Sequence, residues 1–287
     1  MITTKINLTK EGRITNIEDA LDAANLNFIA EEHELMTPSG IFAPEHKMIV
    51  RADTNEPLGV VGKKYHPTQN SLAMAFMDNI VQKNGFAYTE AISKNGGAVS
   101  VITAQSDKPD TIKVGDEVAR QIKIINGFNG KNSLSVEFSL LRLVCSNGMV
   151  RDERESMMRF KHTINIQNRM EIALKVFDEA VSFHEDFIIK AKMLSEKAVD
   201  KDMVEKFLNS LYSDAKQNDK KKDEIKNLFQ NGKGNNGDTL WDLYNGATEF
   251  FQHHHGTDEK RVEYASFGTG AKLTAKAWET AMSLAMA

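Results

Sequence analysis

The stretch from Glu117 to Met149, EVARQIKIINGFNGKNSLSVEFSLLRLVCSNGM, is the longest run of strand chemistry in the chain and holds its single cysteine. Leu134, Val136, Phe138 and Leu140 alternate with Ser133, Ser135, Glu137 and Ser139, a period of two that sends apolar side chains to one face of a strand. Ile122 to Ile125 forms a less regular partner run. Between them Asn126-Gly127-Phe128-Asn129-Gly130-Lys131-Asn132 offers Asn-Gly steps, which supply the positive φ of a tight connection. The pattern predicts a long β-hairpin with a basic, amide-rich tip, and so places antiparallel β-structure at the centre of the chain.

On the N-terminal side, Asn16 is an expected N-cap with acids following in the first turn, starting a short helix that ends near Asn25. Thr37-Pro38-Ser39-Gly40 signals a turn. Met48–Arg51 and Leu58–Gly62 form an expected hairpin around Asp53–Pro57, and a helix is expected from Pro67 to Asn84-Gly85. Phe86–Ile92 and Ala98–Thr103 are two further strands joined by Asn95-Gly96-Gly97. Beyond Thr163 the period changes. Ile166, Met170, Ala173, Leu174, Phe177, Val181, His184 and Ile188 recur at three and four residues, predicting a long amphipathic helix to about Lys197.

Asp202 to Leu211 gives another short helix, and the lysine-rich Asp214 to Glu224 reads as an exposed link. Residues 231–237 must be a loop. Asp238-Thr239 caps a helix bearing Trp241, Leu243, Tyr244 and Phe250, and Leu273 to Ala287 is a final helix. The expected fold class is α+β, an antiparallel sheet with a long central β-hairpin in the N-terminal half and a helical C-terminal half. The expected domains are residues 1–162, mainly β with one crossing helix and the long hairpin, and 163–287, helical and packed on it, with one continuous domain as the alternative.

With 287 residues, 41% of them hydrophobic and 26% charged, the chain has enough apolar material for one large or two modest cores. No segment is apolar enough to span a bilayer, and MITTKINLTKEGR lacks a signal-peptide core, so no membrane contact and a cytoplasmic location are expected. One cysteine makes no internal disulfide. The net charge of −4 conceals an asymmetry: residues 118–169 hold nine Lys or Arg against four acids. A basic centre in an acidic protein suits an anionic partner, although interleaved Arg and Glu are commonly just solvated surface.

Several constellations of chemistry-bearing residues lack the spacing that a catalytic or metal site needs. His253-His254-His255 is the most conspicuous metal signal, but adjacent imidazoles diverge on a helix and no HExxH motif occurs. Cys145 with His162 lacks an orienting third partner, and Cys145 reads as a small buried residue. Carboxylates are scattered, without a compact set for a divalent cation. No catalytic residue, metal or cofactor is expected. Arg151, Arg154, Arg159, Lys161 and His162, by contrast, follow an Asn147-Gly148 turn and lead into the long helix, a stripe suited to phosphate contacts. Phe128 and Phe160 are the candidate aromatics for base stacking, against the alternative of core packing.

Arg142-Leu143-Val144-Cys145-Ser146-Asn147-Gly148-Met149 followed by Lys161-His162-Thr163 resembles the phage/plasmid-like protein family, a domain of unknown function. The resemblance extends to Val50–Thr54, Leu58–Gly62, Tyr65-His66-Pro67-Thr68-Gln69-Asn70, Asp238–Glu249 and Gly268-Thr269-Gly270, which is most of the chain in family order. The family name implies no activity. On architecture alone, helix, antiparallel strands with a long hairpin, then a long helix is similar to the single-strand annealing recombinases, in which these elements build rings or filaments with a basic groove for single-stranded DNA. That resemblance implies that Lys123, Lys131, Arg142, Arg151, Arg154, Arg159 and Lys161, with His162 beside them, face the DNA.

The leading expectation is therefore a phage or plasmid accessory protein, a homo-oligomer without catalysis, that binds single-stranded DNA and anneals it where the second resemblance holds. Two rivals remain open. One is a protein that binds a host protein, for instance against a defence system, and the other is a metal-dependent nucleic-acid enzyme using His162, His184 and the run His253 to His255.

Overall fold

The computed structural model describes residues 3–75, 77, 78, 81, 82, 85–144, 147–149, 157–163, 166, 177–213, 215–254, 264, 265 and 268–287. The fold is α+β, with antiparallel sheets in the N-terminal half and helices in the C-terminal half. The chain divides into two compact units, each assembled from three stretches. Unit 1 comprises Met1–Asp107, Gln121–Glu137 and Met157–Asp178, and unit 2 comprises Lys108–Arg120, Phe138–Ser156 and Glu179–Ala287. The change of character at residue 163 seen in the sequence is thus not where the units divide. The strands β8 (Asp116–Gly127) and β9 (Leu134–Arg142), the two arms of the central hairpin, each contribute residues to both.

Unit 1 begins with β1 (Thr3–Asn7) and α1 (Ile17–Ala23), where Asn16 Oδ1 accepts the Asp19 N–H at 2.8 Å as the expected N-cap. A three-stranded sheet follows: β2 (Ala30–Met36), β3 (Phe42–Arg51) and β4 (Glu56–Gly62), in that order. Reading the sequence found the β3–β4 hairpin but not β2, whose Glu31-Glu32-His33-Glu34 shows no apolar alternation because these four residues are all exposed.

The next helix, α2 (Asn70–Met74), starts at Asn70 and not at the expected Pro67. Gln69 is extended instead, with φ −58° and ψ 146°. The Gln69 amide exchanges two hydrogen bonds with the Ala30 backbone, and the Thr68 carbonyl accepts from Asn126 Nδ2. The antiparallel strands β5 (Phe86–Lys94) and β6 (Val99–Ser106) pair as expected. The sheet order in this unit is β1-β5-β6-β8-β9, with β11 (Met157–Phe160) added beside β9. The strands β1 and β11 are too short for periodicity to reveal.

In unit 2 the short strand β7 (Asp110–Lys113) pairs with the start of β8, and β10 (Asn147–Met149) pairs with the end of β9. Asn147-Gly148, read as a turn, is therefore strand. The unit also holds the helices α3 (Phe177–Glu196), α4 (Lys201–Leu211), α5 (Asp219–Asn231), α6 (Leu240–His253) and α7 (Thr269–Met286). For the expected long helix over 163–197, α3 accounts for the last part, while 164, 165 and 167–176 lie outside the described residues. The expected lysine-rich link over 214–224 is corrected from Asp219 onward. It is the first turns of α5, which buries Ile225, Leu228 and Phe229 and even Lys222, whose Nζ donates to Asn209 Oδ1 at 2.6 Å.

The helix α6 is buried on every side from Leu240 to Phe251, which makes it the central element of unit 2. Thr239 Oγ1 caps it by accepting the Asp242 N–H. Trp278 of α7 stacks on Phe187 of α3 at 3.9 Å and meets Tyr244 of α6 edge-on. Where α5 and α6 cross, Gly246 brings the backbones together: a Cβ at this position would lie 2.6 Å from the Phe229 nitrogen. Among the described residues no helix is long and apolar enough to cross a membrane.

Candidate nucleic-acid interface

The hairpin tip is a local hydrogen-bonded construction. Gly130 takes a positive φ of 72°, and Asn129 Oδ1 accepts the backbone N–H groups of Lys131 and Asn132, closing an Asx-type turn. The tip lies against β4, with Gly59 so close that a Cβ there would sit 2.5 Å from Asn129 Cα. The Tyr65 hydroxyl donates to the Gly127 carbonyl at 2.6 Å, and Asn126 Nδ2 reaches both the Thr68 carbonyl and Asn70 Oδ1. Tyr65 to Asn70, quoted above for its family resemblance, is therefore the clasp that fixes the hairpin in unit 1.

That clasp removes two of the expected binding residues from the surface. Phe128, the stacking candidate, is 0% exposed; it packs on Phe28 with ring centroids 5.6 Å apart, and the Arg51 guanidinium lies 4.3 Å above the Phe28 ring. No base can reach Phe128, so the stacking expectation is corrected in favour of core packing. His162 is also buried, with its ring 4.9 Å from that of Tyr65, its Nδ1 hydrogen-bonded to Thr68 Oγ1 at 3.2 Å and its carbonyl accepting the His66 N–H.

Burial pushes the His162 pKa down to about 4, so it is neutral and contributes no positive charge near pH 7. Because the folded value lies below the usual histidine value, its stabilising contribution is complete above about pH 6.5 and is lost as pH falls toward 4. Acid sensitivity of the unfolding midpoint between pH 7 and 5 is expected to shrink in His162→Gln, with the limiting slope reduced by about 1.4 kcal/mol per pH unit. Equal pH dependence of the two proteins, followed by circular dichroism, would contradict this assignment.

A third expected residue, Arg142, belongs to unit 2 and is 0% exposed. Its Nε and Nη2 donate to the two oxygens of Asp116 at 2.7 and 2.6 Å, Nη1 to Asn235 Oδ1 at 2.8 Å, and the guanidinium also holds the carbonyls of Lys233 and Gly234. Trp241 Nε1 donates to the same Asp116 at 2.8 Å. Arg142 is thus the centre of a buried polar cluster and is withdrawn as a surface contact, because every direction of its fork is already occupied. Arg51 plays a comparable part in unit 1, bidentate to Asp53 and bonded to the carbonyls of Asn25 and Gly96. Sequence reasoning assigned no role to Arg51 or Asp116.

What remains is a smaller group on unit 1. In β11, Arg159 stands directly opposite Ser135 of β9 and is exposed; Phe160 is opposite Leu134, so Lys161 continues toward the hairpin tip, where Lys131 is exposed. Arg159 shares its sheet face with Glu137, which lies two residues along β9 from Ser135. Lys123 of β8 is 3.7 Å from Glu137 Oε1 and one-quarter exposed, so its charge is largely offset. The expected residues brought together are therefore Lys131, Arg159 and Lys161, with Lys123 partly neutralised behind them. Arg151 and Arg154 lie outside the described residues, as do Cys145 and His255.

Of the remaining histidines weighed for metal, His184 is buried with its ring edge on Phe138, and His254 Nδ1 pairs with Glu224 at 3.1 Å. Among the described residues no group of three or more His, Cys, Asp or Glu is placed to hold a metal ion.

Fold and site together define an α+β protein whose polar signature residues build interior clasps and whose candidate surface is a short basic strip on an edge strand. Residues 57–278 match the model of the domain of unknown function DUF932, and the chain belongs to that family. No curated protein matches the chain, and no solved structure does.

Proposed function

We propose that this chain is a phage- or plasmid-borne accessory protein that binds single-stranded DNA through the strip formed by Lys131, Arg159 and Lys161, and that it works as a homo-oligomer without bond-making chemistry. The observation that carries the reading is the register of β11 on β9, which gathers exposed cations from two separate parts of the chain beside the hairpin tip. With Phe128 in the core, recognition rests chiefly on phosphate charge, and half-buried Phe160, between Arg159 and Lys161, is the aromatic left for stacking. Annealing of complementary strands is the activity this reading favours, because backbone contacts leave base edges open for pairing.

The test is the salt dependence of binding to a labelled single-stranded oligonucleotide. Three phosphate contacts predict a slope of log K on log salt of about −2. The triple variant Lys131→Glu/Arg159→Glu/Lys161→Glu should lose nearly all affinity while keeping its unfolding midpoint. A slope near zero, or wild-type affinity in that variant, would sink the proposal.

A further inference from the structure

Asparagine followed by glycine occurs eight times in the chain. Each such step can react with itself, the glycine nitrogen attacking the asparagine side-chain amide carbon, because glycine has no side chain to hinder the approach. By sequence alone the eight steps are equivalent. The fold separates them.

Asn126 and Asn245 are 0% exposed, and Asn245 lies within α6. Asn231 ends α5, where the Gly232 N–H is already donated to the Leu228 carbonyl at 2.8 Å. Asn147 is paired with Arg142 in the ladder of β10 and β9. At the hairpin tip, Asn129 Oδ1 accepts from Lys131 and Asn132 while Nδ2 donates to Asn132 Oδ1. Asn95 is exposed, but it is set at φ 50° in a 3-10 turn that the Ala98 N–H closes on its carbonyl. Asn84 lies outside the described residues. Among the described residues this leaves Asn236, which is exposed and belongs to neither helix nor strand.

The glycine that follows it is required by the fold. Gly237 takes φ 77°, in the left-handed region, and a Cβ there would sit 3.2 Å from Gln230 Cα. The residue before it is fixed as well, since Asn235 Oδ1 accepts from Arg142 Nη1 and its Nδ2 donates to the Leu228 carbonyl, both at 2.8 Å. Just beyond, the Asp238 carbonyl accepts the Val199 N–H and Thr239 caps α6. Asn236 is thus a reactive step between anchored neighbours.

We propose that Asn236 is a site of spontaneous deamidation whose isoaspartate product loosens the Arg142 cluster. The Gly237 nitrogen bonds to Asn236 Cγ, its proton passes to the departing amide nitrogen, and ammonia leaves a closed succinimide. Water then opens that ring at either carbonyl. One opening gives aspartate in an ordinary chain, and the other gives isoaspartate, in which the main chain runs through Cβ and is longer by that atom. Both products carry a new negative charge. Only isoaspartate pushes Asn235 and Gly237 apart along the chain, so the strain falls on the bonds that Asn235 makes to Arg142 and Leu228.

Ageing the full chain in mildly alkaline buffer, followed by peptide fragmentation and labelling with a protein isoaspartyl methyltransferase, tests the site. Among the described steps, Asn236 should be the first to show the mass change from amide to acid, with isoaspartate in excess over aspartate. In urea the steps should react at comparable rates, because the fold no longer distinguishes them. The unfolding midpoint of the aged wild type should fall in proportion to its isoaspartate content. Asn236→Gln aged alongside should keep its midpoint, and fresh Asn236→Asp, which carries the charge without the longer chain, should match fresh wild type.

An Asn236 that stays intact while other described steps react, or equal rates at all of them in the folded chain, would overturn the assignment of the site. Isoaspartate at 236 with an unchanged midpoint, or a fresh Asn236→Asp as unstable as the aged protein, would overturn its effect on the cluster. None of these readouts involves a nucleic acid.

Discussion

Arg142→Leu is expected to lower the stability of unit 2 by about 3–5 kcal/mol, the loss typical when one partner of a buried ion pair is removed. The substitution strips the Asp116 carboxylate of its guanidinium, leaving it the Trp241 N–H, and leaves Asn235 Oδ1 and the Lys233 and Gly234 carbonyls without that donor. Leucine recovers part of the apolar contact with Trp241 but satisfies none of these polar atoms. Arg142→Lys should be only slightly better, since an ammonium group cannot reproduce a fork that spans two carboxylate oxygens and two carbonyls.

Urea denaturation followed by circular dichroism gives the number. A loss under about 1 kcal/mol would contradict the buried-pair account. The doubly substituted Arg142→Leu/Asp116→Leu chain should recover part of the loss but not all, because the loop carbonyls stay unpaired.

Gly246→Val is the second large effect. Alanine would gain about 1 kcal/mol in helix propensity over glycine on an exposed helix, and that gain decides the sign only where space exists. Here the added Cβ would meet the Phe229 nitrogen at 2.6 Å, the Phe229 Cα at 2.9 Å and the Ile225 carbonyl oxygen at 3.1 Å. All three are backbone atoms of α5, so relief requires moving a whole helix that also buries Ile225, Leu228 and Phe229. Overpacking ordinarily costs about 1–3 kcal/mol, and valine adds two methyl groups beyond the Cβ, so a loss at or above the top of that range is expected. Gly62→Ala, where a Cβ meets nothing within 4 Å, is the control and should leave the unfolding midpoint nearly unchanged.

The central hairpin was legible because the faces of β9 differ in sequence, Leu134, Val136, Phe138 and Leu140 against serines and Glu137. The cap at Asn16 and the start of α6 at Thr239 were legible because a capping side chain is a local device that needs no knowledge of the tertiary fold. The strand β2 was not, because Glu31 to Glu34 are all exposed and carry no apolar alternation. The helix α5 was missed at its start because a run of lysines looks the same whether or not a helix underlies it.

The site was misread for a related reason. Formal charge says nothing of burial, so Arg142 looked like Arg159, although one lies inside a cluster spanning residues 116 to 241 and the other on an edge strand. The signal that separates them is a buried partner: Asp116 on the other arm of the hairpin and Asn235 far along the chain show themselves as partners of Arg142 only once the strands are paired and the later segment is brought to them.

The interleaving of the two units sets an order of events during synthesis. A chain emerging from the ribosome has every described strand of unit 1 in hand once Phe160 is out, so that sheet can close early. Unit 2 cannot. Asp116 and Arg142 are delivered long before Asn235 and Trp241 arrive to complete their cluster, and until then a charged pair on the shared strands waits in water with its apolar surroundings missing. The strands common to both units therefore commit the nascent protein to one half of its structure while holding open the place of the other.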